Sequence, residues 1–458
     1  MNSEKKYIAG TLQYSFCGVL TLFFWLLWGD FCFSLISAVI PRLLPITLKD
    51  MGASNVFIGI IVGSIPSMMN MVINPIISVS SDRHRGPLGR RIPFLLWPSP
   101  FIAISLILLG YAPQIGGWLN TNVFSHLGLA SGRILILGLV CLLTIAFQFF
   151  FLFVSSIYYY LFADVVPSQL LGRFMAWFRI VGTAAGFIFH RYIFGFADRY
   201  LSLIYLGIGL FFCVSFILMC LKVKEGQYPP PSPKVHGGGL AGSVKSFVTE
   251  CCSHSIYIWF FMASAIFTVS LGCTQAFLIF FPRDTLHMSL DDIGKVTGWA
   301  AISSIPALMV MGWASDKYHP LRVNIVGTIT YGIVNLLSFF LMRDPVSYTV
   351  WTLISSAILT IWAASNLPMF IAILPKQNFG QFSAATAIAN SIGLVLGNVA
   401  AGWFMDWVAD YRYQFIFNAV FATMAFIPTY MVYHEWRKHG GPDNYVAPTV
   451  VPILSLSK

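Results

Sequence analysis

Asp82-Arg83-His84-Arg85-Gly86-Pro87-Leu88-Gly89-Arg90-Arg91-Ile92-Pro93-Phe94 sets four arginines and an aspartate between two apolar stretches, roughly 55–80 and 92–112. Each flank is long enough to cross the roughly 30 Å hydrocarbon layer of a bilayer as a helix. Arginines gathered between two spans mark the cytoplasmic side. The loop therefore reads first as a positive-inside connection, and its flanks as transmembrane helices.

The same alternation extends over the whole chain. Of 458 residues, 57% are hydrophobic and only 10% charged, with a mean hydropathy of +0.76. A soluble globule carries about 25% charged residues. Depletion this deep means a multi-span integral membrane protein. The net charge of +10 belongs to loops facing a membrane surface, and no nucleic-acid partner is implied. Twelve apolar stretches can be placed, at about 12–40, 55–80, 92–112, 133–162, 174–196, 200–221, 255–281, 294–314, 321–342, 347–374, 382–404 and 413–434. Each can be helical, and none shows the ten-residue alternation of a membrane barrel. The first is too long for a signal-peptide core and reads as a retained span.

With the N-terminus inside, 18 of the 27 Lys and Arg fall on cytoplasmic segments and nine outside. That bias places both termini in the cytoplasm. No glycosylation sequon occurs, in keeping with a bacterial inner membrane. The eight cysteines have no metal-ligand spacing and imply no disulfide framework. Pro229-Pro230-Pro231-Ser232-Pro233 and Gly237-Gly238-Gly239 mark residues 222–254 as a linker. The expected layout is a six-helix bundle over 1–221, a cytoplasmic linker over 222–254, a second bundle over 255–436 and a cytoplasmic tail over 437–458.

The two halves echo each other. Val166-Pro167-Ser168-Gln169-Leu170-Leu171-Gly172-Arg173-Phe174-Met175-Ala176 parallels Leu374-Pro375-Lys376-Gln377-Asn378-Phe379-Gly380-Gln381-Phe382-Ser383-Ala384 at an offset of 208. The same offset carries Phe196 and Asp198 onto Phe404 and Asp406. Ser81-Asp82-Arg83 likewise resembles Ser315-Asp316-Lys317, at an offset of 234. A longer outside loop at about 113–132 accounts for much of the difference.

Parallel six-helix repeats with an acid, a base and then Gly89-Arg90-Arg91 after the second span resemble major facilitator transporters. The longer spacing from Asn70 to Phe94 is similar to that of the glycoside–pentoside–hexuronide:cation symporters, the melibiose-permease family, and of the related sucrose transporters. Ala163-Asp164-Val165-Val166-Pro167 through Arg173 supports the same resemblance. It implies an all-α integral membrane fold of 12 transmembrane helices in two parallel repeats. It also implies an inside latch of Asp82, Arg83, Gly89, Arg90, Arg91, Asp164 and Arg173, echoed by Asp316 and Lys317. In that latch the acid meets helix ends and arginines, Gly89 permits a tight turn, and Arg90 and Arg91 anchor at lipid headgroups.

Within the spans, Asp30 is the only acid well inside the apolar sequence. Charges there are costly and usually face a polar cavity or a partner. Ser34 and Ser37 share its helical face, and Trp25 and Trp28 lie about a turn before it. A carboxylate can accept two hydroxyls at once or take up a proton. The alternative is an aspartate paired with a fixed arginine. Ser67, Asn70, Asn74 and Ser78 form a polar stripe on span two. Where the resembling family has cation-binding acids, this chain has Asn70, Asn74 and, in span four, Ser155. That departure weakens Na⁺ coupling. Packing between helices is the alternative for the amides. Tyr158 or Tyr159 can stack on a sugar, or, with Tyr160, form an interface belt. Arg179 can pair with Asp30 or snorkel to the headgroups. Gln275, Asn366, Asn390 and Asn398 are uncharged candidates in the second half, and His190 and Arg191 are expected at the interface.

The expectation is a secondary transporter, not an enzyme, with no bound cofactor and no metal, working as a monomer in the bilayer. Its cargo is a small polar solute, a sugar or glycoside by resemblance. Protons or no ion at all drive it ahead of Na⁺. Two alternatives stay open: an exporter of a drug or non-sugar metabolite, and a sensor on a transporter scaffold.

Overall fold

A computed structural model describes residues 7–124, 132–228 and 247–448. Most of the expected linker, part of the loop at 113–132 and the end of the tail lie outside the described residues. Two short strands open the chain, β1 (Tyr7–Ala9) and β2 (Leu12–Tyr14), paired antiparallel. This corrects the expected start of span one near Leu12. Gly10, at φ +57, makes the hairpin turn. The helix begins only at Phe16, where the Ser15 side chain accepts from the Gly18 N–H at 3.2 Å. Serine is a preferred residue there because its oxygen satisfies an otherwise unpaired N–H.

Twelve long helices follow among the described residues. They are α1 (Phe16–Asp50), α2 (Asn55–Arg83), α3 (Ile92–Gly110), α4 (Gly132–Val165), α5 (Leu171–Ile188) and α6 (Ala197–Lys222). The second set is α7 (Ser255–Gly272), α8 (Leu290–Tyr318), α9 (Pro320–Leu341), α10 (Pro345–Ile373), α11 (Phe379–Val408) and α12 (Gln414–Lys438). Between α5 and α6 the chain widens through a π-turn at Phe189–Ile193 and then tightens in a 3₁₀ turn at Phe194–Phe196. Prolines lie inside α1 (Pro41, Pro45), α2 (Pro66, Pro75), α3 (Pro98, Pro100), α8 (Pro306), α10 (Pro368) and α12 (Pro428). Membrane helices tolerate such breaks because neighbouring groups satisfy the freed backbone.

The chain forms two compact units, and each takes in a piece of the other half's sequence. The first holds Met1–Ala53, Met69–Pro233 and Leu290–Gly298; the second holds Ser54–Met68, Lys234–Ser289 and Trp299–Lys458. In the first unit α1 packs on α5 and α6, and α3 packs on α4 and α6. In the second, α7 packs on α11 and α12, and α9 packs on α10 and α12. Adding six to each helix number converts one set into the other. The repeat legible in the sequence is thus a repeat of helix pairings. Phe174, Phe212 and Phe216 are buried in the first core; Tyr257, Phe260, Phe382 and Trp436 are buried in the second. Exposed Ile, Leu, Val and Phe cover the helices, as lipid-facing surface requires. All eight cysteines are free.

Close backbone approach in the first unit depends on Gly29. A Cβ there would fall 2.5 Å from the Tyr158 hydroxyl and 3.1 Å from Met219. Gly29→Val is expected to lower the melting temperature in detergent by several degrees, because overpacking a core costs about 1–3 kcal/mol. Gly186→Ala, where a Cβ meets nothing within 4 Å, is expected to leave it unchanged.

Candidate functional site

Asp30 lies almost halfway along α1 and is 1% exposed. One carboxylate oxygen, Oδ1, accepts a long hydrogen bond from Ser34 at 3.4 Å, one helical turn on. The other, Oδ2, is buried and has no hydrogen-bond partner among the described residues. A buried acceptor left open is expensive, and such groups concentrate where function requires them. Opposite it, α5 presents Gly182. A Cβ at that position would lie 3.5 Å from Asp30 Oδ2 and 3.2 Å from Ser34 Oγ, with no other group within 4 Å. The missing side chain lets α5 approach the carboxylate closely.

The turn that carries Asp30 is fixed from behind. Tyr158 is fully buried and its hydroxyl donates to the Leu26 carbonyl at 2.5 Å. This corrects the expectation of an interface belt for Tyr158; the ring is a brace inside the unit. Tyr159 and Tyr160 are the exposed members of the trio, at 47% and 41%. Tyr159 packs edge-on against Phe162 and Phe178 and lies within electrostatic reach of both Asp30 and Arg179. Arg179 is exposed and forms no ion pair with Asp30; its charge acts on the carboxylate from longer range. Trp28 sits elsewhere, against Phe24, Phe31 and Phe211. Residues two apart on a helix point to different faces, so its distance from the carboxylate follows from the spacing.

The remaining candidates are scattered. On α2, Asn70 is exposed, and Asn74 accepts from Ser78 at 3.5 Å. Ser67 donates to the Gly63 carbonyl and Ser155 to the Leu152 carbonyl, each within its own helix. In the second unit Gln275 is exposed and bonds the Leu271 carbonyl. Asn366 lines a cavity of about 20 Å³ with Asn324, Thr328 and Trp362. Asn398 donates to the Leu394 carbonyl, while Asn390 Oδ1 is buried without a partner among the described residues. Arg191 stacks on Tyr192, but His190 is drawn inward, its Nδ1 at 2.8 Å from the Gly186 carbonyl and its Nε2 buried.

The loop between α2 and α3 folds into a compact charged knot. Arg91, 7% exposed in its side chain, reaches Asp82 Oδ1 at 2.6 Å, Asp164 Oδ2 at 3.1 Å and Ser81 Oγ at 2.5 Å. Arg90 grips the same Asp164 with two bonds, at 2.5 and 3.0 Å. Paired bonds of this kind hold a guanidinium in one orientation. Burial disfavours the charged form of Arg90, yet Asp164 outweighs it and holds its pKa above the ordinary value. Arg90 and Arg91 are therefore not headgroup anchors, as the sequence suggested; their charges are spent inside the protein. Arg83 and Arg173 are exposed and make no ion pair among the described residues. In the second half, Asp316 is exposed and Lys317 lies over the Trp313 and Tyr318 rings at 4.7 and 5.3 Å. The echo in sequence is not an echo in contacts.

Two acids outside this set also hold structure. Glu225 bonds the loop backbone, and no motif pointed to it; its only signal is an acid among lysines just past α6. Asp406 accepts from the Asn55 and Val56 N–H groups at 2.9 and 3.0 Å, capping the start of α2. Its repeat counterpart Asp198 is exposed.

Twelve membrane helices in two repeats, with this charged knot after the second, define a major facilitator transporter rather than an enzyme. The chain belongs to the MFS/sugar transport protein family, whose model matches residues 28–414. Among curated proteins none matches. The fold is similar to that of a mutant form of the nucleoside transporter NupG, with a TM-score of 0.68 at 12% identity over 90% of this chain and 100% of the other. It is also similar to a bacterial homolog of the human lysosomal transporter Spinster in an inward-facing and occupied conformation, with a TM-score of 0.65 at 12% identity over 94% and 98%. A peptide transporter, POT, in complex with sulfate gives a TM-score of 0.64 at 13% identity over 93% and 96%. The protein is a multi-pass membrane transporter of a small-molecule solute.

Arg91→Ala removes the shared partner of Asp82 and Asp164 and is expected to lower the melting temperature by several degrees. Arg83→Ala is expected to leave it unchanged. Equal effects in a thermal-shift series would contradict the knot described above.

Proposed function

We propose that this chain moves a small polar solute, a sugar or glycoside, across the membrane by alternating access, with protons as the coupling ion if transport is coupled. The observation that carries this reading is the Asp30 carboxylate, buried with Oδ2 unpaired among the described residues, beside Ser34 and close against Gly182 of α5. An open carboxylate oxygen accepts a cargo hydroxyl, or takes a proton that neutralises the site. Tyr159 and Arg179 supply an aromatic face and a positive charge at the same end of the first unit. The family description, a sugar transport protein, supports the cargo class.

Na⁺ ranks lower. Asn70, Asn74 and Ser155 bring no charge, and no hydrogen bond joins them to Asp30 among the described residues. A cation held only by neutral oxygens lacks the carboxylate that such sites usually include. Trp28, Gln275 and Asn366 remain candidates for contact in other states of the cycle. Asp82, Arg90, Arg91 and Asp164 would latch the outward-facing state. We place the protein in a bacterial inner membrane as a monomer of two bundles, 1–221 and 255–436, with both termini cytoplasmic and transport by alternating access. Tyr159, packed on Phe162 and Phe178 and within electrostatic reach of Asp30, favours one second reading, export of an amphipathic cation.

Uptake into proteoliposomes from a sugar panel, with proton and sodium gradients imposed separately, tests the proposal. Proton-driven sugar accumulation is expected in the native protein and its loss in Asp30→Asn, with the melting temperature retained. Native rates and an unchanged pH dependence in Asp30→Asn would sink it. Binding of lipophilic cations without sugar uptake would favour the second reading. Gly182→Leu, whose side chain would press on Asp30 and Ser34, is expected to stop transport; Gly186→Leu is not.

A further inference from the structure

The chain leaving α6 folds back onto the charged knot through one residue. Glu225 lies three positions beyond Lys222, the last residue of α6. Its Oε2 accepts from the Arg90 N–H at 3.0 Å, and its Oε1 accepts from the Arg91 and Ile92 N–H groups at 2.7 and 2.6 Å. These are donors at the start of α3, which the helix itself leaves unpaired. A carboxylate there also faces the positive end of the helix. The Tyr228 hydroxyl donates to Oε2 at 2.9 Å, and the Arg90 guanidinium lies over the Tyr228 ring at 4.1 Å.

Steric and backbone features agree with this tie. Gly89 has φ +100, and a Cβ there would fall 2.6 Å from the Glu225 carboxyl carbon. Glycine is required twice over, for the left-handed backbone and for the approach. On its other side the same segment meets the N-terminal hairpin. The Gln227 N–H donates to Thr11 Oγ1 at 2.8 Å, and a Cβ at Gly226 would lie 2.6 Å from that oxygen. Residues 225–228 are therefore held between the hairpin and the loop.

We infer that Glu225 is a positioning residue for transport: by binding the backbone of Arg90, Arg91 and Ile92 it aims the two guanidinium groups at Asp164 and Asp82, and ties the knot to the chain that leaves α6. With that backbone held on Glu225, Arg90 and Arg91 both meet Asp164 and Arg91 also meets Asp82. The tie rests on the transporter class alone, and not on the identity of the cargo.

Limited trypsin digestion of the full-length protein in detergent reads the tie directly, at the bonds after Arg90 and Arg91. Glu225→Gln keeps the size but replaces one acceptor oxygen with a donor. Cleavage there is expected to rise roughly tenfold, the equivalent of one lost hydrogen bond to a charged group. Tyr228→Phe is expected to give a smaller rise, and Thr11→Val to speed cleavage after Lys224 while Arg90 and Arg91 stay protected. In proteoliposomes Glu225→Gln is expected to lower the maximal rate by about the same factor and leave the KM within about twofold, because the site at Asp30 is untouched. Unchanged cleavage and an unchanged rate would overturn the inference, as would a loss of affinity without a loss of rate. If Glu225→Gln does not fold, Tyr228→Phe decides by the same digestion: faster cleavage supports the tie, and unchanged cleavage overturns it. A protein that passes the digestion test but transports no sugar would overturn the cargo reading and leave the tie standing.

Discussion

A bilayer offers no water to a polar group, and this single constraint arranges most of the molecule. Backbone groups are paired within helices, and charge is sent to the helix ends. Where charges are nevertheless withdrawn from solvent, they answer one another. Arg91 is nearly buried only because Asp82, Asp164 and Ser81 surround it. Removing one partner from such a group costs far more than the pair itself contributes, since the remaining charge is left uncompensated. The knot is consequently an all-or-none element, suited to a loop that must hold one arrangement firmly.

Asp30 breaks the same constraint in a different way. Its Oδ1 receives only a 3.4 Å bond from Ser34, and its Oδ2 receives none among the described residues. The side chain is rigidly seated, because Tyr158 binds the Leu26 carbonyl one turn before it and packs on Gly29. A seat this well braced around a carboxylate this poorly satisfied separates two jobs that a structural ion pair would combine. The bracing belongs to the fold, while the unsatisfied oxygen is the atom that the proposed cargo hydroxyl or proton would engage.

Much of this was legible in the sequence. Hydropathy alone locates the helices, and the offset of 208 residues, which carries the start of α5 onto the start of α11, marks the halves as repeats; the shared pairing of α1 with α5 and α7 with α11 appears only in the structure. Helical periodicity correctly joins Asp30 to Ser34 and also explains why Trp28 is not with them. What escaped depends on contacts between distant segments. The hairpin at Tyr7–Tyr14 is short and lies in sequence that reads as the start of a span. Gly182 signals nothing until α5 is laid against α1. Tyr158 and Tyr159 are adjacent and chemically alike, and only the packing of α4 decides which is buried.

The two halves show why a repeat in sequence does not guarantee a repeat in chemistry. Asp82 and Asp316 close corresponding helices, yet among the described residues only Asp82 meets an arginine; Lys317 turns to the Trp313 and Tyr318 rings. Asp198 and Asp406 share the offset, yet Asp406 accepts from the N–H groups that open α2, while Asp198, in the first turn of α6, makes no such bond among the described residues. Helix pairing survives because it rests on many small apolar contacts, none of them decisive. A charged contact rests on one or two atoms, and a single substitution in the partner removes it. The first half holds the arginine knot and the membrane carboxylate together in one unit, and the described residues of the second hold neither. The helix pairings are shared by the two units, and the charged contacts are not.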